Sequence, residues 1–251
     1  EGRRGGVFDN CRSLRNVAVP PEADVGVNTF KDCKDLVQLF GSQAQIMNAL
    51  KHRFDNLPIH KMIYYQSYNN ITPEQLSSAA NLRSGHTNRS LRSKLDSSGN
   101  QQDCLGMTPL HILACSTVHH LELYRVLFEK YPENLISKDK WGTVPLFYAV
   151  WGNAPSEIVQ FLVESYKSIY PDYEFDWTGM ITTLGKRSAP ENSINMLLDL
   201  QKVSFPAQMI DWDKVLIAVA NVVYPGSSTA NASLDRTFRF MVKVSTVTRV
   251  D

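Results

Sequence analysis

The chain has 251 residues, of which 43% are hydrophobic and 20% charged, with 26 basic and 25 acidic side chains. This length and apolar content suffice for one or two globular domains with a sizeable core, and they exclude a wholly disordered chain. The balanced charge argues against nucleic acid as the main partner, and no apolar stretch is long enough to cross a membrane as a helix.

The N-terminus and the cysteines bear on the cellular compartment. The sequence starts at Glu1, and its first six residues are rich in glycine and arginine without the apolar core of a signal peptide. We therefore expect a piece of a longer chain and an intracellular, cytoplasmic location. The cysteines at 11, 33, 104 and 115 form no CxxC pair, so the spacing of a structural zinc site is missing. Reduced thiols are the expected state, although spacing alone does not exclude disulfides.

The N-terminal segment repeats itself at an interval of 22 residues. FxxCxxL occurs at residues 8–14 and again at 30–36, and valines at 17, 19, 25 and 27 alternate with other residues as in half-buried strands. With Pro20 and Pro21 after the first strand, the pattern resembles the BspA-like class of leucine-rich repeats. The resemblance implies that residues 1–40 are the end of a short β-solenoid, with Phe8 stacked over Phe30 and Cys11 over Cys33.

A polar insertion covers about residues 75–102. Its low apolar content and its length predict a mobile loop. It carries Arg83, Arg89, Arg92 and Lys94, with no acidic residue from 76 to 94. Four cations would give only weak, salt-sensitive binding to nucleic acid or another anionic surface, so we favour a solvated loop and keep that binding as an alternative.

A longer period follows the insertion. Residues 103–114 (DCLGMTPLHILA) are answered 36 positions later by residues 139–150 (DKWGTVPLFYAV), and 121–129 is answered by 156–164. The DxxGxTPLHxA turn and first helix, followed by an apolar second helix, resemble ankyrin repeats. The resemblance implies structural roles in the repeat motif for Gly106, Thr108, Pro109, Leu110 and His111 in one copy and for Gly142, Pro145 and Leu146 in the next.

The residue types suit those roles. Thr108 can cap a helix whose first turn holds a proline, where the missing N–H costs nothing. Gly106 and Gly142 lie where a tight turn requires a positive φ. The imidazoles of His111 and, by alignment, His60 are expected to bridge neighbouring turns through hydrogen bonds.

Three weaker echoes extend the array. The residues Leu57-Pro58-Ile59-His60 align with the Thr-Pro-Leu-His block, while residues 176–181 and 211–216, and likewise 155–162 and 190–197, lie 35 positions apart. We therefore predict a mainly α fold: two good and three degenerate ankyrin-type repeats within residues 41–251, with the degenerate end repeats acting as caps. Phe238–Val250 reads as a helix by the repeat period, although its β-branched residues leave a strand open.

No enzyme motif is present. HExxH and GxSxG are absent, and Gly185-Lys186-Arg187-Ser188 lacks both the spacing and the residue after lysine that a phosphate loop requires. His119 and His120 are adjacent, so on a helix their rings would point too far apart to share a metal. We therefore expect neither catalysis nor a cofactor nor a metal.

Aromatic residues are the better functional clue. The resemblance to ankyrin repeats implies that turn tips and first helices line a concave surface that binds proteins, and Trp141 and the tyrosines at 64, 65 and 68 would be its anchors. We predict a non-catalytic scaffold that binds an unidentified partner protein around Met107, Trp141, Thr143 and Val144. Packing of Trp141 on a neighbouring repeat or on Trp151 is an equal alternative.

Two further alternatives concern the whole chain. In the first, the chain is the targeting or adaptor arm of a larger multidomain protein, which could be an enzyme. In the second, the chain binds nucleic acid or a membrane surface through residues 83–94. The combination of leucine-rich and ankyrin-type repeats also resembles the multirepeat proteins of diatoms. The oligomeric state stays open.

Overall fold

The computed structural model describes residues 11, 14–23, 26, 29–82, 94–187, 189 and 191–220. The chain divides into two compact units, Glu1–Pro145 and Leu146–Asp251. Helices dominate both units, as the sequence predicts, and the strands of the described residues are one antiparallel pair of two residues each, with Asn81 opposite Leu95.

The described residues of the first unit form seven α-helices and that strand pair. They are α1 (Lys34–Phe40), α2 (Gln43–Lys51), α3 (Pro58–Tyr64), α4 (Gln66–Asn69), α5 (Pro73–Ala80), β1 (Asn81–Leu82), β2 (Lys94–Leu95), α6 (Pro109–Ala114) and α7 (Leu121–Lys130). Short 3-10 turns cover Ser97–Asn100 and Pro132–Leu135. Helix α3 packs against α6 and α5 packs against α7, so two helix pairs bury their apolar faces on each other.

The described residues from Pro145 onward form further helices, which belong to the second unit except for Pro145 itself. They are α8 (Pro145–Trp151), α9 (Ser156–Ile169), α10 (Trp177–Lys186), α11 (Glu191–Asp199) and α12 (Trp212–Ala220), with a π-helical turn at Leu200–Ser204. Helices α10 and α12 begin one residue after Asp176 and Asp211, at the positions that the 35-residue echoes predict. Assignment of these last helices to ankyrin repeats stays a prediction.

The predicted leucine-rich β-solenoid finds no support. No strand occurs among the described residues of 1–40, and helix α1 begins directly after Cys33. Residues 14–20 form neither helix nor strand, with a bend at Asn16, and Val19 N–H donates to the Leu50 carbonyl at 3.3 Å and Ala18 N–H to the Tyr64 hydroxyl at 3.0 Å. These amides are satisfied by helical neighbours, whereas coils of a β-solenoid would pair with one another. Phe8, Val25 and Val27 lie outside the described residues.

The start of the polar insertion is helical, so the loop prediction was wrong over residues 75–80. Helix α5 begins with Thr72 as N-cap, whose hydroxyl accepts from Gln75 N–H, and a proline follows in the first turn. Leu76 and Ala80 are fully buried on one face. The described residues do not include 83–93 or 221–251, so Arg83, Arg89, Arg92 and the predicted helix Phe238–Val250 are outside the structural account.

No helix in the described part of the chain is long and apolar enough to cross a membrane.

Candidate partner-binding surface

Two matching turns build the candidate surface. In the first, Asp103 Oδ1 accepts from the backbone N–H groups of Leu105 and Met107, each at 2.8 Å. In the second, Asp139 Oδ1 accepts from the N–H groups of Trp141 at 2.9 Å and Thr143 at 2.8 Å. The aspartate retained at the 36-residue interval thus holds the backbone of each turn through two side-chain hydrogen bonds.

Glycine is required in both turns, as predicted. Gly106 has φ of 75° and Gly142 has φ of 74°, a region that L side chains rarely adopt. The turns are joined by Lys140 N–H, which donates to the Leu105 carbonyl at 3.1 Å. A Cβ on Gly106 would lie 2.6 Å from that same Lys140 nitrogen, whereas a Cβ on Gly142 would meet nothing within 4 Å.

His111 ties its own helix to the next turn. Its Nδ1 accepts from Thr108 N–H at 3.2 Å, next to the Thr108 hydroxyl at 2.8 Å, at the start of α6. Because the Thr143 carbonyl can only accept, His111 Nε2 carries the proton and donates to it at 3.0 Å. Burial lowers the pKa of His111, so the ring is neutral. The predicted bridge between neighbouring turns is confirmed.

His60 makes the same bridge without the cap. Its Nε2 donates to the Gln101 carbonyl at 3.1 Å, but Leu57 occupies the N-cap position of α3 and offers no side-chain hydrogen bond. His60 Nδ1 is buried and has no hydrogen-bond partner among the described residues. Burial lowers the pKa of His60 to about 4, although the negative charge of Asp103 acts in the opposite direction and raises it.

A buried arginine lies behind the first turn. Arg53 Nε donates to Asp103 Oδ2 at 2.7 Å, and both side chains are fully buried. Arg53 Nη1 also donates to the Val17 carbonyl at 2.8 Å and to Asn16 Oδ1 at 2.9 Å, and its guanidinium lies 5.5 Å from the centre of the Tyr64 ring. Arg53 therefore connects the N-terminal residues to the repeat turn.

A second arginine lies against the second turn. Arg15 Nε donates to Asp35 Oδ2 at 2.8 Å, and its Nη1 donates to Thr143 Oγ1 at 3.2 Å. The guanidinium carbon lies 4.9 Å from the centre of the Trp141 ring, within cation–π range. Arg15 is 8% exposed, so these contacts enclose it almost completely.

The predicted partner-binding residues lie together but are mostly covered. Met107 is fully buried, and Thr143 and Val144 are 9% and 5% exposed, while Trp141 is half-buried under Arg15. Met107 Sδ contacts Arg53 Nη2 at 3.5 Å. The packing alternative named a neighbouring repeat or Trp151 as the neighbour of Trp141, whereas the described contact comes from Arg15 in the N-terminal segment.

A groove adjoins this surface. It encloses about 450 Å³ and is lined by Asn16, Ala18 and Pro20 on one side and by the ends of α3 and α6 on the other. Tyr64 and Tyr65, two of the predicted aromatic anchors, are half-buried in its wall, where their rings meet edge to face at 5.1 Å.

The thiols are the remaining reactive groups of this region. The four cysteines all lie in the described residues and form no disulfide. Burial raises the pKa of Cys104 to about 11 and raises that of Cys115 further, so neither is a thiolate at neutral pH. Within the described ranges, no three His, Cys, Asp or Glu side chains are grouped to hold a metal ion.

Sequence reasoning missed both arginines and Asp35. The repeat pattern identified Asp103, but its partner Arg53 lies 50 positions earlier, outside any period. The one signal in the sequence was that an aspartate is retained beside apolar residues. A buried carboxylate is costly unless a cation lies next to it, so Asp103 predicted a cationic partner without identifying it.

Comparisons with known proteins assign one part of the chain. Residues 75–172, less than half of the sequence, match the family model described as ankyrin repeats (3 copies). No curated protein and no solved structure matches the chain. The resemblances to BspA-like leucine-rich repeats and to multirepeat proteins of diatoms therefore find no support. The turns of residues 103–107 and 139–143 fall inside the matched range, and residues 75–172 are ankyrin repeats.

Proposed function

We propose that this chain is a non-catalytic protein-interaction module whose partner protein binds at the turn surface around Trp141 and Thr143. The observation that carries the proposal is the ankyrin match over residues 75–172, because ankyrin repeats suggest protein–protein interaction and these turns lie within them. Met107 and Val144, being buried, form the floor beneath that surface.

The groove extends the proposed surface. Its wall offers two tyrosine rings, and aromatic side chains held rigidly beside a depression are frequent binding hot spots. Tyrosine supplies a large apolar contact and a hydroxyl with only two rotatable bonds to restrict. An extended partner segment could therefore contact Trp141 and continue along Tyr64 and Tyr65.

The titratable groups of this region support a non-catalytic role. His60 and His111 are buried and neutral, and both use ring nitrogens to hold backbone groups. A general base needs an accessible nitrogen within reach of a substrate proton. The raised pKa values of Cys104 and Cys115 likewise disfavour nucleophilic thiols.

The adaptor role and weak anionic binding through residues 83–94 stay alternatives. The adaptor role concerns the full-length protein, and of the basic residues Arg83, Arg89 and Arg92 lie outside the described residues, whereas Lys94 lies in β2.

The test is an affinity pull-down of the tagged chain from its own cell lysate, washed at 50 and 300 mM salt, with wild type beside Trp141→Ala. Met209→Ala is the control, because Met209 is 83% exposed and lies in the other unit. We expect proteins that survive both washes with wild type and Met209→Ala and are lost with Trp141→Ala. A Trp141→Ala chain that retains its partners but is less stable would overturn the assigned surface and favour the packing alternative. Nucleic acid in the eluate, lost at high salt, would favour the basic loop.

A further inference from the structure

We propose that residues 14–20, here called the strap, are a displaceable intramolecular occupant of the Trp141 surface, and that the partner is an extended protein segment presenting an arginine. This inference rests on the proposed function and adds the chemistry and the regulation of the same site. The strap shows directly what that surface accepts.

Burial alternates along the strap, with Arg15, Val17 and Val19 buried and Asn16 and Ala18 half-buried. Its valines Val17 and Val19 are 4% and 6% exposed, while the residue between them donates its N–H to the Tyr64 hydroxyl. Arg53 Nη1 binds the Val17 carbonyl from the other side. Alternating buried side chains and backbone hydrogen bonds to a fixed scaffold are the features by which extended peptides are recognised.

Arg15 supplies the specific contact. Its guanidinium lies over the Trp141 ring while two of its nitrogens donate to Asp35 and Thr143. A planar guanidinium can stack on an indole and donate from its edge at once, which a lysine ammonium cannot do in this geometry. The site therefore selects arginine.

Two of the four residues in the predicted partner-binding surface are thereby covered. Trp141 and Thr143 both contact Arg15, so a partner reaches the covered face of the Trp141 ring and the Thr143 hydroxyl only after Arg15 leaves. The strap lies outside the matched ankyrin range of residues 75–172. It contacts that range through Arg15, which donates to Thr143, and it contacts the preceding residues through Arg53, Tyr64 and the Leu50 carbonyl. Its removal would leave the turns themselves intact, because those are closed by their own aspartates.

Competition from the strap sets the apparent affinity of a free segment for the Trp141 surface. A segment joined to its site by a short linker acts at an effective concentration in the millimolar range, so a free segment of equal affinity competes only at about that concentration. Weakening the strap should therefore improve binding of a peptide in trans.

The first experiment measures amide hydrogen exchange of the wild-type full chain. We expect the amides of Ala18 and Val19 to exchange at least tenfold faster than that of Ile112 in α6, because the strap opens without unfolding of the repeats. A synthetic peptide of residues 14–23 (LRNVAVPPEA) at millimolar concentration should speed exchange at Ala18 and Val19 further and leave Ile112 unchanged. Equal protection of all three amides, unaffected by the peptide, would overturn the proposal.

The second experiment titrates the same peptide onto wild type, Arg15→Ala and the control Arg125→Ala, whose side chain is exposed. We expect the peptide to bind Arg15→Ala at least tenfold more tightly than wild type or Arg125→Ala, and the peptide with alanine for arginine to bind at least tenfold more weakly. Absence of binding to a folded Arg15→Ala chain, or equal binding of both peptides, would overturn the arginine site. If Arg15→Ala loses helical circular dichroism, the wild-type exchange experiment decides.

The pull-down separates the two proposals. Retention of protein partners together with a strap that does not open would leave the proposed function standing and overturn the strap. A strap that opens and accepts the arginine peptide, with no captured protein, would uphold the arginine site and count against the proposed function.

Discussion

The Arg53 guanidinium and the Asp103 carboxylate form an ion pair of 2.7 Å with both side chains fully buried. The other carboxylate oxygen holds the turn backbone, and the guanidinium holds residues 16 and 17. One buried pair thus fixes the repeat turn and the strap in the same place. Such a pair is costly to desolvate, and its cost is recovered only when nearly every donor and acceptor has a partner.

Breaking this pair from one side should be strongly destabilising. Asp103→Asn keeps an oxygen for the turn amides but leaves the Arg53 charge buried and uncompensated, so we expect a loss of about 3–5 kcal/mol in the free energy of unfolding. Arg53→Met with Asp103→Asn should cost less than the sum of the single changes, since the double variant has no unpaired charge.

Urea denaturation followed by circular dichroism measures both effects. The exposed pair Glu122–Arg125 is the control, and Glu122→Gln should shift stability by less than about 1 kcal/mol. If Asp103→Asn were no more destabilising than Glu122→Gln, the buried pair would not hold the turn.

Because His60 and His111 are neutral in the folded chain, the free energy of unfolding should decrease as the pH falls. The folded pKa of His60, about 4, lies below its ordinary value of 6.5, so the unfolded chain takes up a proton first as pH falls. Its contribution is fully present above pH 6.5 and is lost between pH 6.5 and about 4. The single group accounts for roughly 2 kcal/mol of lost stability at pH 5, and His111 acts in the same direction.

This dependence is checked by urea denaturation at pH 7 and pH 5. His60→Gln keeps a donor for the Gln101 carbonyl and should lose less stability on acidification than wild type. His52→Gln is the control, because His52 is exposed and its ring contacts Asp55 at the surface. An acid loss that is the same in wild type and in His60→Gln would contradict the assignment.

The repeat turns could be predicted from the sequence because their interactions are local or strictly periodic. The glycines, the N-terminal position of Thr108 in α6 and the His111 bridge each depend on a few neighbouring residues and on the same turn one repeat later. The arginines could not be predicted this way. Arg53 and Arg15 reach partners 50 and 128 positions away, and no spacing rule relates a lone arginine to such a partner.

The prediction of leucine-rich repeats failed because the same spacing of apolar residues occurs both in a coil of a leucine-rich repeat and at a helical turn. Phe30, Cys33 and Leu36 are all fully buried, so the FxxCxxL pattern did identify residues of the core. An interval of three also brings residues onto one face of a helical turn, and here Cys33 is the N-cap of α1. Apolar spacing alone therefore found the burial but not the secondary structure.

The half-buried thiols of Cys104 and Cys115 should be slow to react. At pH 8, a thiol with a pKa of about 11, as for Cys104, has roughly 100-fold less thiolate than one at the ordinary value of 9.0. We expect iodoacetamide, followed by mass mapping, to label Cys104 and Cys115 at least that much more slowly in the native chain than in urea. Labelling of native Cys104 at the unfolded rate would show that its site is open to solvent.

The two turn glycines should differ in their tolerance of alanine although their backbone angles are the same. Alanine at either position has a strained positive φ, which costs about 1–2 kcal/mol. At Gly106 the new methyl group would also meet the Lys140 backbone nitrogen at 2.6 Å, and that nitrogen holds the hydrogen bond between the two turns. At Gly142 it would enter open space. Gly106→Ala should therefore be more destabilising than Gly142→Ala by at least about 1 kcal/mol in urea denaturation, and Gly142→Ala serves as the matched control for strain alone. Equal losses would mean that the adjoining turn yields to the methyl group, and that the close approach of residues 106 and 140 does not constrain the repeat.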